Sequence, residues 1–417
     1  MVFCRLNERL PMVVFSGLAN LKQEWQLFRS QRSGQLFLLF LVLAVAYQIW
    51  AQRSWVDTGE YVRKAESLFQ GWNPLAGDRI LEESRRTPAF GLILMALGPF
   101  YALVSGVATL WLMLNTRRWV RQMSSYKRAA DWATVFFMLH PLTWIYAVVP
   151  MPELWCLLLL VGWLKAIVSS KSLSMSIHAA ALLAMKPVFI LLIPFNALAI
   201  LWLPGSRQVW KSLFVSCLIP LLVLTAGWLM NLQTMGVGHY SSMGICNAVE
   251  YNLPSYQSGF RYEETATHPA EALSHAQQVI RTVTMENPLS VMGVHFRGVL
   301  VGLLDPGRYD AWSFLGASGD MGVMKALNEG RWPTGASLGG LVYMLLGSVL
   351  NLVFLFFIIR GLQPQLGYRQ HLFFGLFCLL WLGVVGPVAS ARYTLILYPL
   401  LALWFADGWQ RTFPSRT

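Results

Sequence analysis

Apolar runs separated by short polar breaks dominate the chain from residue 35 to its end. An apolar helix of ~20 residues crosses a bilayer, and on that measure the runs at about 35–52, 89–115, 129–149, 154–170, 211–230, 337–359, 371–390 and 392–407 read as spans. The 89–115 run is longer than a span needs, so its first turns are expected in the interface or at a tilt. The run 173–203 is too long for one span, and Lys186-Pro187 interrupts it. It reads as a short span up, a turn at Lys186 and a span down, which brings the expected total to ten. Two polar segments have helical spacing of their own. In 53–88, Tyr61, Ala65, Leu68 and Phe69 recur at helical intervals, predicting an amphipathic helix in the membrane interface. In 231–336, helices are expected near 269–283 and 288–304. No repeat of fixed period is visible.

Composition agrees with this pattern. The 417 residues are 56% hydrophobic and 12% charged, with mean hydropathy +0.50; globular domains carry roughly 25% charged residues. The expected fold class is an all-α polytopic membrane protein. A net charge of +12 would suggest nucleic acid in a soluble chain. Here the positive-inside rule explains it, and no nucleic-acid partner is expected. Arg5, Arg9, Lys22, Arg29 and Arg32 precede the first run, and Arg117, Arg118, Arg121, Lys127 and Arg128 mark a later basic loop. With Lys165, Lys171, Arg207, Lys211, Arg360, Arg369, Arg411 and Arg416 also inside, every basic loop falls on the cytoplasmic side, as do both termini. The 231–336 segment carries nine acids against six bases and belongs outside.

The expected organisation is a cytoplasmic segment 1–34, a transmembrane catalytic module 35–230 containing the first outer loop 53–88, a long periplasmic loop 231–336, and C-terminal transmembrane helices 337–417. The first apolar run reads as a retained anchor, because the polar stretch before it is too long for an ordinary signal peptide. Cys4, Cys156, Cys217, Cys246 and Cys378 form no CxxC pair, which argues against a metal site and a disulfide framework.

With this topology, four ionisable groups collect on the outer side: Asp57 with Glu60, Arg85 with Arg86, Glu153 with Lys186, and Arg392. Ionisable residues at a membrane edge are functional candidates by default. Each also has a structural explanation. Glu153 follows Pro152 and suits a helix N-terminus; Lys186 suits snorkelling; Arg392 suits an interfacial anchor. His140, before Pro141, reads as a hydrogen-bonded packing residue rather than a base.

The order of these residues along nearly the whole chain resembles the GT-C glycosyltransferases of family 39 type. That family includes the protein O-mannosyltransferases, the lipid A aminoarabinose transferases and many bacterial polyprenyl-phosphate-sugar-dependent transferases. The residues carrying the resemblance are Asp57 followed by Tyr61 and Ala65; Arg86-Thr87-Pro88-Ala89-Phe90; Pro141 and Glu153; Lys186-Pro187; Asn231, Gly236 and Asn252; and Arg392-Tyr393 with Pro399. Two features depart from the pattern. The mannosyltransferases have two adjacent acids in the first loop, whereas Thr58 follows Asp57 here and Glu60 is the next acid. The aminoarabinose transferases carry Glu-Lys before the proline, where this chain has Arg86-Thr87.

The resemblance implies a GT-C-type bundle in a bacterial inner membrane with a periplasmic site. It implies a sugar donor on undecaprenyl or another polyprenyl phosphate, and a glycan, lipid or protein acceptor. Asp57 would be the general base of an inverting displacement, with Glu60 as the other first-loop acid. Arg86, Lys186 and Arg392 would hold the donor phosphate, and Glu153 would orient the acceptor or a basic neighbour. Arg85, Tyr61, Asn231 and Tyr393 are further candidates. Arginine and lysine can meet the leaving phosphate's charge, so no cofactor is required. A divalent metal is compatible with the chemistry but is not indicated. Two other classes fit less well. An O-antigen polymerase or ligase should concentrate arginines in its outer loop, and a transporter or lipid flippase should show charges within its spans or paired broken helices.

Overall fold

A computed structural model of the protein describes residues 21–53, 56–70, 85–203, 208–247, 269–316, 332, 336–362, 368–385 and 391–414. The turn expected within 71–84, Asn252 and Cys4 lie outside the described residues. All regular structure among the described residues is helical.

Residues 21–30 form α1. It is followed by α2 (Arg32–Ala51), α3 (Val56–Gln70), α4 (Pro88–Leu97), α5 (Tyr101–Met123), α6 (Ala129–Leu139), α7 (Pro141–Tyr146), α8 (Glu153–Val168) and α9 (Ser172–Met185). A 3₁₀ turn, Pro187–Leu191, leads into α10 (Leu192–Trp202), and α11 (Val209–Met235) and the short α12 (Met243–Asn247) follow. The long outer segment holds α13 (Pro269–Glu286), α14 (Pro288–Leu304) and α15 (Arg308–Phe314). The C-terminal helices are α16 (Ala336–Gly361), α17 (Tyr368–Val385), α18 (Ala391–Leu395) and α19 (Tyr398–Thr412).

Proline sets many of the boundaries. It lacks the N–H that a first helical turn leaves unused, and it opens α4, α7, α14 and the 187–191 turn. The same prolines cut apolar runs into pieces. The 129–149 run breaks at His140-Pro141, and the 89–115 run breaks at Gly98-Pro99, where Gly98 has φ +48°. Four helical stretches are long and apolar enough to cross a membrane: Arg32–Ala51, Pro88–Met123, Val209–Gln233 and Ser337–Gly361. A fifth is added if α13 and α14, which meet at a 101° bend, count as one broken span. The helices at 129–139, 172–185, 187–202 and 369–385 are apolar but shorter.

The helices pack around one aromatic-rich core in which Trp119, Trp163, Trp381 and Trp404 are fully buried. Small residues allow close crossings. A Cβ on Gly361 of α16 would collide with the Trp404 carbonyl of α19, and one on Gly408 of α19 with the Phe357 carbonyl of α16.

One stretch differs from expectation. α5 continues to Met123, so Arg117, Arg118 and Arg121 belong to a helix rather than to a solvated loop. Arg117 is fully buried. It donates to Glu24 (2.9 Å), Thr134 (2.6 Å), Gln31 (2.8 Å), Asp131 (2.9 Å) and the Ala130 carbonyl (3.2 Å), tying α1 to α5 and α6. Glu24, Gln31 and Asp131 come from three separate segments, so the shell that allows this burial arises only in the folded chain.

Candidate functional site

The first-loop helix, α3, is placed by a glycine. Gly91 of α4 faces the Tyr61 carbonyl and the Ala65 methyl so closely that a Cβ would not fit. Tyr61 and Ala65 are therefore buried against α4, and Tyr61 meets the Phe90 ring edge-on at 5.1 Å. Leu68 and Phe69, expected on the same stripe, point away and are exposed. At the start of α3 the Thr58 hydroxyl donates to the Pro150 carbonyl at 3.1 Å. That bond ties the loop to the segment just before Glu153.

This packing aims Asp57 and Glu60 at two arginines. Asp57 accepts from Arg86 Nη2 at 3.1 Å through one oxygen and from Arg392 Nη1 at 2.9 Å through the other. Glu60 accepts from Arg86 Nε at 2.7 Å. The two arginines are far apart in sequence. Arg86 precedes α4, where Thr87 is the N-cap, and Arg392 sits in α18. Burial would raise the Asp57 carboxyl, but Arg392 and Arg86 outweigh it and hold it below the usual carboxylate range. Burial would lower the Arg86 guanidinium, but Tyr61, Asp57 and Glu60 raise it above its ordinary value. Burial pushes the Tyr61 phenol up to about 12, so it stays protonated beneath Arg86, whose Cζ lies 5.1 Å from the ring centre.

A second pair adjoins the first. Lys186 caps the C-terminus of α9 in extended conformation (φ −145°, ψ 127°), at the turn expected from Lys186-Pro187. Its Nζ donates to Glu153 Oε1 at 2.6 Å. Glu153 is fully buried in the first turn of α8, and its Oε2 has no hydrogen-bond partner among the described residues. Tyr393 joins the two pairs: Lys186 Nζ lies 4.9 Å and Arg392 Cζ 5.3 Å from its ring centre. Asp57, Glu60, Tyr61, Arg86, Glu153, Lys186, Arg392 and Tyr393 thus form one cluster.

Two candidates stand apart from it. Asn231, near the end of α11, donates to the carbonyls of His239 and Tyr240 at 2.9 Å each and shapes a turn. Arg85 contributes its backbone carbonyl, which accepts from Ser241 at 2.8 Å. His140 is buried and hydrogen-bonded to Tyr398 at 2.9 Å, as a packing residue would be.

A cavity of about 600 Å³ opens beside the cluster. Tyr61, Arg86, Lys186 and Tyr393 line it together with apolar Pro187, Val188, Ile190, Leu191, Val384 and Val385. Tyr240, Ser241 and His295 add polar atoms. Three of the residues near the site had no signal in the sequence. Asp310 accepts from Tyr146 at 2.8 Å, and both lie within electrostatic reach of Arg392. His295 reaches the cavity from α14. Their positions depend on contacts across long sequence separations. Among the described residues no group of three or more His, Cys, Asp or Glu side chains is arranged to hold a metal ion.

The arrangement offers two arginines and a lysine for an anion, carboxylates within reach of the same charges, and an apolar chamber adjoining them. No known protein-family model matches the chain, and no curated protein is significantly similar to it.

Proposed function

We propose that the chain is an integral-membrane glycosyltransferase that moves a sugar from a polyprenyl-phosphate donor to an acceptor on the outer face of a bacterial inner membrane. The observation that carries this reading is the meeting of a cationic cluster with an apolar-walled cavity. Arg86 and Lys186 line the same space as Val188, Ile190, Leu191 and Val384. A lipid phosphate has the matching chemistry, an anionic group joined to a long hydrocarbon chain. The ten-span GT-C-type topology with basic loops in the cytoplasm belongs to this proposal, as does the resemblance to the family 39 enzymes.

The reaction is one displacement. The acceptor hydroxyl oxygen forms a bond to the anomeric carbon as the bond from that carbon to the phosphate oxygen breaks. The electron pair leaves with the polyprenyl phosphate, and the hydroxyl proton passes to Asp57. Attack opposite the leaving group inverts the anomeric centre. Arg86, Arg392 and Lys186 stabilise the charge that develops on the phosphate, each contact contributing about 1.5–3 kcal/mol. Glu153 acts through Lys186, which it holds between its own carboxylate and the Tyr393 ring. Glycan, lipid and protein hydroxyls all satisfy this chemistry as acceptors.

The test is purified protein in lipid vesicles given undecaprenyl phosphate charged with hexoses or pentoses, with free undecaprenyl phosphate followed by mass spectrometry. Release or transfer of the sugar is expected. Movement of intact donor between leaflets, with no release from any donor, would replace this reading with lipid transport.

A further inference from the structure

We propose that α14, the second helix of the long 231–336 segment, dips into the membrane to about mid-depth, with the hydrocarbon chains of the bilayer as the partner of its outward face. The inference rests on α16 crossing the bilayer, not on the transfer reaction. α16 has 26 residues, and at 1.5 Å per residue it is ~39 Å long, enough for a ~30 Å hydrocarbon core. Ser348 and Asn351 lie near its midpoint, and both donate to the carbonyl of Leu304, the last residue of α14, at 3.1 Å. The C-terminal carbonyls of a helix lack partners within it. Where no water reaches, another protein group must supply them, and here a spanning helix does so at its centre.

The chain then turns back. Asp305 Oδ1 accepts from the backbone N–H groups of Gly307 (3.0 Å) and Arg308 (3.1 Å), with Gly307 at φ +80°, and α15 begins. The last residue of α15, Phe314, accepts through its carbonyl from Tyr47 at 2.9 Å, in the last turns of α2 before the outer loop. Descent, turn and return make a re-entrant element.

The faces of α14 agree with this. Leu289, Met292, Phe296 and Leu300 are exposed at spacings of three, four and four residues. The opposite side is packed: Gly298 and Gly302 are buried, His295 bonds the Gly383 carbonyl at 2.9 Å, and Thr394 donates to the Gly302 carbonyl at 2.8 Å. The neighbouring α16 presents Leu345, Leu346 and Val349 outward, so the stripe continues an apolar surface already facing lipid. Arg297 is exposed at the flank of the stripe. It lies seven residues above Leu304, ~10 Å along the helix, from where its side chain can snorkel to the headgroups.

Single cysteines at Leu289, Met292, Phe296 and Leu300, in full-length protein lacking the five native cysteines, are labelled with a nitroxide in phosphatidylcholine–phosphatidylglycerol vesicles. Collision rates with oxygen and with a water-soluble nickel chelate are then compared with those at Val342 on α16 and Gln278 on α13. The expected result is high oxygen and low nickel accessibility, as at Val342, with the ratio rising from 289 to 300. Nickel accessibility like that at Gln278 along the whole stripe would make α14 a water-facing cap and overturn the proposal. Low rates for both probes with spin–spin broadening would place a second copy on this face and also overturn it. Nickel accessibility at Val342 itself would remove α16 as a span and the proposal with it, leaving the transfer reading to its own assay.

Discussion

Replacing Asp57 by asparagine separates a catalytic carboxylate from a structural one. The carboxylate accepts from Arg86 at 3.1 Å and from Arg392 at 2.9 Å. Asparagine keeps one acceptor oxygen and turns an amide donor toward the other guanidinium. At about 1.5–3 kcal/mol per charge-assisted bond, the variant should lose roughly that much stability, since one contact is lost and the other weakened. The stability difference has a defined pH dependence. Asp57 is held below the usual carboxylate value by its two arginines. Its contribution is therefore present above the unfolded pKa of about 3.9 and is lost as pH falls through the lower folded value. Between pH 5 and 8 the wild-type–variant gap in thermal unfolding should be flat, closing only below about pH 4. Activity should respond differently. General-base catalysis contributes about 10²–10⁴-fold, so Asp57→Asn should turn over at least about a hundredfold more slowly. Both arginines are released toward the phosphate, so binding of undecaprenyl phosphate should hold or tighten. Glu60→Gln is the control, because Glu60 contacts Arg86 alone. Loss of turnover and of undecaprenyl phosphate binding together in Asp57→Asn would refute the base assignment and leave Asp57 as a brace. Full turnover in Asp57→Asn with loss in Glu60→Gln would move the base to Glu60.

Lys186→Met should destabilise the protein by about 3–5 kcal/mol, since it strands the buried Glu153 carboxylate. Adding Glu153→Leu should recover much of that stability but not undecaprenyl phosphate binding; recovery of both would show that Lys186 has no part in holding the phosphate. Arg117→Met should cost a similar amount by stranding Glu24 and Asp131. Turnover per folded molecule should stay unchanged, and a loss there would connect this distant knot to the site.

The cluster was legible in the sequence because charge is rare in such a chain. An acid such as Asp57 or a cation such as Lys186 beside an apolar run must be paired or functional, and the order of the runs says which residues share a side. The partners themselves were not legible. Asp57 and Arg392 are 335 residues apart, and Tyr146 and Asp310 are 164 apart. Nothing local distinguishes Asp310 from the other acids of its segment. Arg117 was misread for the converse reason. Beside Arg118 and Arg121 it looks like a solvated basic loop, and only the folded chain surrounds it with acceptors. Helix count was obscured by proline, which divides apolar runs without showing whether each piece still crosses.

Charge balance resolves the apparent conflict between a carboxylate held low and its work as a base. Arg86, Lys186 and Arg392 face Asp57, Glu60 and Glu153, three cations against three anions, in a largely buried space. Such a cluster is near neutral at rest, and Asp57 is then a poor proton acceptor. A lipid phosphate in the adjoining cavity adds negative charge and competes for Arg86, which lines that cavity. Each arginine bond drawn to the phosphate is one that no longer lowers Asp57, while the phosphate charge itself raises its proton affinity. Asp57 therefore becomes basic when the donor is bound and stays weakly basic in its absence. For the same reason Asp57→Asn is expected to keep its hold on the phosphate while losing the reaction: the substitution removes the group that competes with the phosphate and the group that accepts the proton in one change.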